Sequence, residues 1–117
     1  MQEIKILKEP ITIAELKEIA AKQFGNMIKA VADVEKNLMA VGGEFHVDMQ
    51  TLLSEVENSS GQNTWGINLY LNRLGEEFIE FDSMINLKPA SGNRSRNVED
   101  SKVQEKIRKI VDRLIIK

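Results

Sequence analysis

Two alternating runs with almost nothing between them constrain this chain most. MIKAVADVE (27–35) places Ile28, Ala30, Ala32 and Val34 on one face, and LMAVGG (38–43) returns after Lys36-Asn37. A side-chain period of two is the strand period. A two-residue connection joins antiparallel neighbours, and Asn accepts the positive φ that such turns require. The pair therefore predicts a β-hairpin, so the sheet holding it is at least partly antiparallel. Gly42-Gly43 at its end lets the backbone bend or approach something closely.

The other elements follow from the same periodicities. EIKIL (3–7) reads as a short strand, and Pro10 keeps the residue before it out of the helical region. Thr12 and Glu15 fit a capping box. Behind them Ile13, Leu16, Ile19, Ala20 and Phe24 recur at helical spacing up to Gly25, predicting a helix over 12–24. Asp48 is a natural cap for a helix over 49–57. NSSGQN (58–63) is a loop, and TWGINLYL (64–71) is a strand with Trp65, Ile67, Leu69 and Leu71 on one face. NRLGEE turns the chain. FIEFDSMINL (78–87) reads as a further strand, with Ile79, Phe81, Ile85 and Leu87 on one side and Phe78, Glu80, Asp82, Met84 and Asn86 on the other. From Asp100 or Ser101 a helix runs to the end, Val103, Ile107, Ile110, Val111 and Leu114 inward. The order β-α-β-β-α-β-β-α predicts an α+β fold: an antiparallel or mixed sheet of four to five strands with helices on one face. The 117 residues suit a single domain over 1–117.

Composition excludes several functions. With no cysteine there is no disulfide, thiolate nucleophile or cysteine-ligated zinc or iron–sulfur cluster, and the usage suits a reducing cytoplasm. MQEIKILKEP lacks the apolar run of a secretory signal, and no window reaches the roughly 20 apolar residues of a membrane span. The expectation is a cytoplasmic protein with no membrane partner. The net charge of −2 is unevenly distributed: residues 88–117 hold nine Lys/Arg against four Asp/Glu, and residues 1–87 hold seven against fourteen. A basic binding face gives such a split, and so does a last helix packed near acidic neighbours.

Four strings, AVGGEFH (40–46), WGINLY (65–70), EEFIEFDSMINLKPASGNRSR (76–96) and ITIAELKEIAAKQFG (11–25), resemble a family of small prokaryotic proteins classed as a domain of unknown function. The likeness covers nearly the whole chain. It implies a stand-alone protein and carries over no activity, cofactor or functional residue.

The densest polar string is PASGNRSRNVED (89–100). Arg94 and Arg96 offer planar forks that match phosphate or carboxylate. Ser91, Ser95 and the amides around Gly92 and Asn93 are the makings of an anion nest ahead of a helix N-terminus. Lys102, Lys106 and Lys109, with Arg113, form a basic stripe on that helix, suited to phosphate backbones. Glu99 and Asp100 at the helix start argue the other way, since they answer the dipole and pair with Arg94 or Arg96. Asp82 is another partner for these arginines. No GxxxxGK[ST] or GxGxxG is present, so a nucleotide fold is unsupported.

In GGEFHVD, Glu44, His46 and Asp48 share a face if the strand continues that far, which would suit a divalent metal or acid–base work. His46 is the only histidine. Glu80 and Asp82 share a strand face as paired carboxylates. Tyr70, with Asn68 and Asn72, lies on the polar face of its strand, where a base could stack. The first expectation is a binding module for an anionic partner, nucleic acid included, through Ser91–Arg96 and the basic helix, without a cofactor. Its alternatives are a hydrolase built on Glu44, His46 and Asp48, and a structural or regulatory module with a protein partner.

Overall fold

A computed structural model describes residues 3–117. Met1 and Gln2, the start of the segment read as lacking a secretory signal, lie outside the described residues. The chain runs β1 (Lys5–Leu7), β2 (Ile11–Thr12), α1 (Ile13–Ala21), β3 (Met27–Asp33), β4 (Leu38–Val41), α2 (His46–Glu57), β5 (Thr64–Tyr70), β6 (Ile79–Glu80), α3 (Ser101–Leu114) and β7 (Ile115–Ile116). Short 3-10 turns occupy Gly75–Phe78, Met84–Asn86 and Pro89–Ser91. Five strands form one sheet in the order β1-β4-β3-β5-β6, every pair antiparallel, and β2 and β7 pair in parallel beside it. The fold is α+β.

The central hairpin forms, but its loop is 34–37 rather than Lys36-Asn37 alone. Asp33 ends the strand early because its Oδ1 accepts from the amides of Glu35 (2.9 Å) and Lys36 (3.0 Å). Asn37 then takes the positive φ, at 57°.

The sheet is covered on both faces. Ile28, Ala30 and Ala32 of β3 and Trp65, Ile67 and Leu69 of β5 pack with Leu16 and Ala20 of α1 and with Ile107, Ile110, Val111 and Leu114 of α3. The opposite face carries Val31 and Ala40 against Met49 and Leu53 of α2. The expectation of helices on one face thus holds for α1 and α3, and α2 departs from it. The cause lies at the two glycines. Gly42 has φ 93°, and a Cβ there would stand 2.6 Å from the Glu3 carbonyl oxygen; one on Gly43 would stand 2.7 Å from Met49 Cγ. The chain turns after β4, and α2 packs onto the second face with Met49 against Gly43. Full burial of Met49 and Leu53 contributes roughly 1.5–3 kcal/mol each.

Local chemistry explains where the helices start and stop. Thr12 caps α1, its Oγ1 accepting from the Glu15 amide at 3.2 Å. The helix stops at Ala21, short of the expected 24, because Gly25 at φ 84° turns its amide back to Ala20 O (2.9 Å). Asp100 caps α3, accepting from the Lys102 amide at 2.8 Å. This helix does not reach the end of the chain, since Ile115 and Ile116 leave it to pair with Ile11 and Thr12. α2 begins at His46 instead of 49, with Phe45 at the cap position giving no side-chain bond, so Asp48 is a first-turn acid and not the cap.

The expected strand over 78–87 is mostly absent. Only Ile79 and Glu80 join the sheet. Phe78 closes a 3-10 turn and is buried in the α1/α3 core, not on the polar face. Beyond Asp82, Ser83 Oγ accepts from the Ile85 amide at 3.3 Å and starts another turn. The side chain of Asn86 then takes the place of a strand beside Gly66: Oδ1 accepts from Gly66 N (2.8 Å) and Nδ2 donates to Gly66 O (3.0 Å).

Candidate functional site: a cleft between the sheet and the start of α2

α2 covers only part of its face. Beside its first turn lies an open hollow of about 510 Å³. β3 and β5 supply the floor with Lys29, Asn68 and Tyr70, α2 supplies His46, and β6 and the segment after it supply Glu80 and Asp82. Arg96 reaches in from the polar loop. Phe45, Val47 and Met84 at the lip are 60%, 53% and 63% exposed.

The strand parity makes this floor polar. Lys29 pairs with Asn68 and Met27 with Tyr70 across β3 and β5, and Asn68 pairs with Glu80 across β5 and β6. Asn68 Nδ2 donates to Glu80 Oε1 at 2.9 Å and to the Asp82 carbonyl at 3.3 Å. Tyr70 OH donates to the same Glu80 oxygen at 3.0 Å. Partial burial and then the Glu80 carboxylate push the Tyr70 phenol above its ordinary range. Arg96 Nε bonds Asp82 Oδ1 at 2.7 Å. The backbone at Arg96 is fixed as well, its carbonyl accepting from Ser83 N (3.1 Å) and Asn86 Nδ2 (2.9 Å).

His46 is buried, and its ring lies over the backbone of β5. A Cβ on Gly66 would stand 3.1 Å from His46 Cδ2 and 2.5 Å from Ser83 Oγ, so only glycine admits both neighbours. His46 Nε2 lies 2.9 Å from the Ile67 carbonyl. A carbonyl only accepts, so Nε2 carries the proton. Burial lowers the imidazole pKa, Lys29 adds to that, and the Ile67 carbonyl opposes it. Asn68 Oδ1 is buried without a partner of good hydrogen-bond geometry, and Asn68 lies near enough to the ring to favour its protonated form.

Residues expected to work together are divided by this geometry. Arg96 and His46 meet in one cleft, with Asp82 between the loop and the sheet. Glu44 lies beyond β4, which ends at Val41, and borders a separate small hollow with Lys22 and Gln23. The shared strand face for Glu44, His46 and Asp48 therefore does not exist, and no three His, Asp or Glu among the described residues are placed to hold a metal ion.

The polar loop is largely self-satisfied. Asn93 is buried, and its Nδ2 donates to the carbonyls of Asn86 (2.7 Å), Ser95 (3.1 Å) and Asn97 (2.7 Å). Its Oδ1 accepts from the Glu99 amide at 2.8 Å. The Arg94 amide donates to Glu99 Oε2 at 3.0 Å, and the Ser95 side chain and this amide hold the Glu99 carboxyl below its usual range. Ser91, Gly92 and Asn93 border a hollow of about 460 Å³ whose charged walls are Glu99 and Asp100. Lys102, Lys106 and Lys109 are exposed on α3 and make no ion pair among the described residues. α3 packs on the sheet face opposite the cleft, so these lysines and Arg96 do not share a surface.

Lys29, Ser83 and the apolar lip were not picked out by motif. Gly66 inside a strand was the one available signal of close approach.

An antiparallel five-stranded sheet with helices on both faces and a polar cleft beside the second helix defines a small α+β protein. The family model described as "Protein of unknown function (DUF5674)" matches residues 5–114, and the chain belongs to that family. No curated protein matches the chain, and neither does any solved structure. No helix among the described residues is long and apolar enough to cross a membrane.

Proposed function

We propose that this protein is a binding module for a small ligand bearing an anionic group, taken up in the cleft beside His46. One observation carries the reading: Arg96 is held through Nε by Asp82, and neither of its two Nη nitrogens has a bonded partner among the described residues. Its outer edge is left as a two-donor fork, on a backbone fixed by Ser83 and Asn86. Lys29 lines the same hollow and adds positive field. The volume suits a small molecule.

Binding is favoured over hydrolysis by how the reactive groups are occupied. Glu80 accepts from Asn68 and Tyr70, Asp82 accepts from Arg96, and His46 donates to the main chain. Glu80 Oε1, Asp82 Oδ1 and His46 Nε2 are thus engaged in holding the cleft together. The surface formed by Ser91–Arg96 with Lys102, Lys106 and Lys109, read earlier as a nucleic-acid contact, has less support. The loop amides of Arg94 and Glu99 are already bonded, its hollow is acidic, and Arg96 belongs to the other face.

The test is a titration with acetate and inorganic phosphate at low salt, followed by amide and side-chain NMR. The expected result is saturable shifts at Arg96, His46 and Tyr70 that vanish in Arg96→Gln. Shifts confined to Lys102, Lys106 and Lys109 would move the anion site to α3.

A further inference from the structure

We infer that the ligand of this cleft is a zwitterion with an apolar side chain: a free apolar α-amino acid. The inference rests on the cleft reading above and adds the chemistry of the ligand.

The first argument is charge. The cleft holds two bases, Lys29 and Arg96, and two acids, Glu80 and Asp82. A bare anion entering it gains from one pair and is repelled by the other, and a bare cation meets the same balance with signs reversed. A molecule carrying both charges close together meets a partner for each.

The second argument is how the two ends are presented. Arg96 is pinned by Nε and keeps its outer nitrogens. Glu80 is pinned by Oε1, which takes both Asn68 Nδ2 and Tyr70 OH, and keeps Oε2. Each group is oriented by one atom and leaves another for a ligand, the arrangement that lowers the cost of ordering on binding. A carboxylate on the Arg96 fork and an ammonium on Glu80 Oε2 use what is left on both sides.

The third argument is the lip. Phe45, Val47 and Met84 each leave more than half of their surface in solvent, and all three border the same hollow. Large apolar side chains grouped at the rim of a polar cleft mark where an apolar part of a ligand rests.

Calorimetry with L-phenylalanine, 3-phenylpropionate, phenethylamine and L-alanine tests this. L-phenylalanine should bind at least about tenfold tighter than either compound lacking one charge, as the loss of one charge-assisted bond requires. Glu80→Gln should weaken L-phenylalanine and erase its advantage over 3-phenylpropionate, which loses a repelling charge and should bind no more weakly than before. Phe45→Ser, at an exposed position, should narrow the preference for L-phenylalanine over L-alanine. Equal binding of 3-phenylpropionate and L-phenylalanine overturns the zwitterion and leaves the anion cleft standing. Tightest binding of phenethylamine, or no binding of any of these or of acetate and phosphate, overturns both.

Discussion

Asn86 bonds both main-chain groups of Gly66, accepting from its amide at 2.8 Å and donating to its carbonyl at 3.0 Å. A side chain does here what a neighbouring strand does elsewhere, and it does so at the point where His46 and Ser83 crowd over β5. The same amide nitrogen also holds the Arg96 carbonyl. One residue therefore sets the sheet edge and the position of the proposed ligand fork.

Asn86→Ala should cost about 2–4 kcal/mol in urea unfolding, because buried Gly66 groups lose their partners at about 1–3 kcal/mol each. Asn86→Asp keeps an acceptor for Gly66 N and loses both donations, so it should also destabilise. Both variants should shift the Arg96 resonances. A loss below about 0.5 kcal/mol for Asn86→Ala would refute this role.

Gly66→Ala should destabilise by about 1–3 kcal/mol through overpacking. The double variant with Ser83→Gly removes the two contacts at 2.5 Å and keeps the one to His46 Cδ2 at 3.1 Å. It should therefore be more stable than the sum of the two single changes, and strict additivity in the cycle would show that Ser83 is not the obstacle.

His46 has a pKa below its ordinary value of 6.5 in the fold, mainly through burial. The unfolded chain then binds the proton more readily, so stability rises with pH in this window. Stability should be fully present above the unfolded value and fall as pH drops from there through the lowered folded pKa. Urea midpoints from pH 8 down to pH 5 check this against His46→Gln, which should lose that part of the slope. As the only histidine, its ring signals report the titration directly.

Asn93 and Arg94 are neighbours with opposite expectations. Asn93→Ala removes two N–H groups shared among three carbonyls and one acceptor in a buried hub, and should cost about 2–4 kcal/mol. Arg94→Ala leaves the main-chain bond to Glu99 in place and should change stability by less than about 0.5 kcal/mol. Thermal unfolding of the pair compares them directly, and a large loss at Arg94 would show that its side chain supports the loop.

Where one local pattern was enough, the elements were legible in advance. The 3.6-residue period of Ile107, Ile110, Val111 and Leu114, capped by Asp100, placed α3, and the alternation over 27–43 placed the hairpin. Pattern misled where side chains replaced backbone as partners. Ile79, Phe81, Ile85 and Leu87 alternate as a strand does, yet Ser83 and Asn86 bend the chain away and pair it with their own side chains. His46 looked like a strand residue because Phe45 is a poor helix cap. Asp82 was among the expected partners of the arginines, and Arg96 does bond it. That this pair stands beside His46 was not readable, because it depends on α2 crossing to the second face, and tertiary packing alone decides that.

The parallel pair of β2 and β7 has a consequence for how the chain is made. Ile11 and Thr12 leave the ribosome early, but their partners Ile115 and Ile116 come after the last helix. α1 starts directly after β2, and α3 ends directly before β7, so this clasp ties together the two helices of one face. Until translation passes residue 116, that clasp stays open. A nascent chain arrested before this point holds the hairpin and lacks the closed helical layer. Ile115 and Ile116 thus close the helical layer only after every other described element has been made.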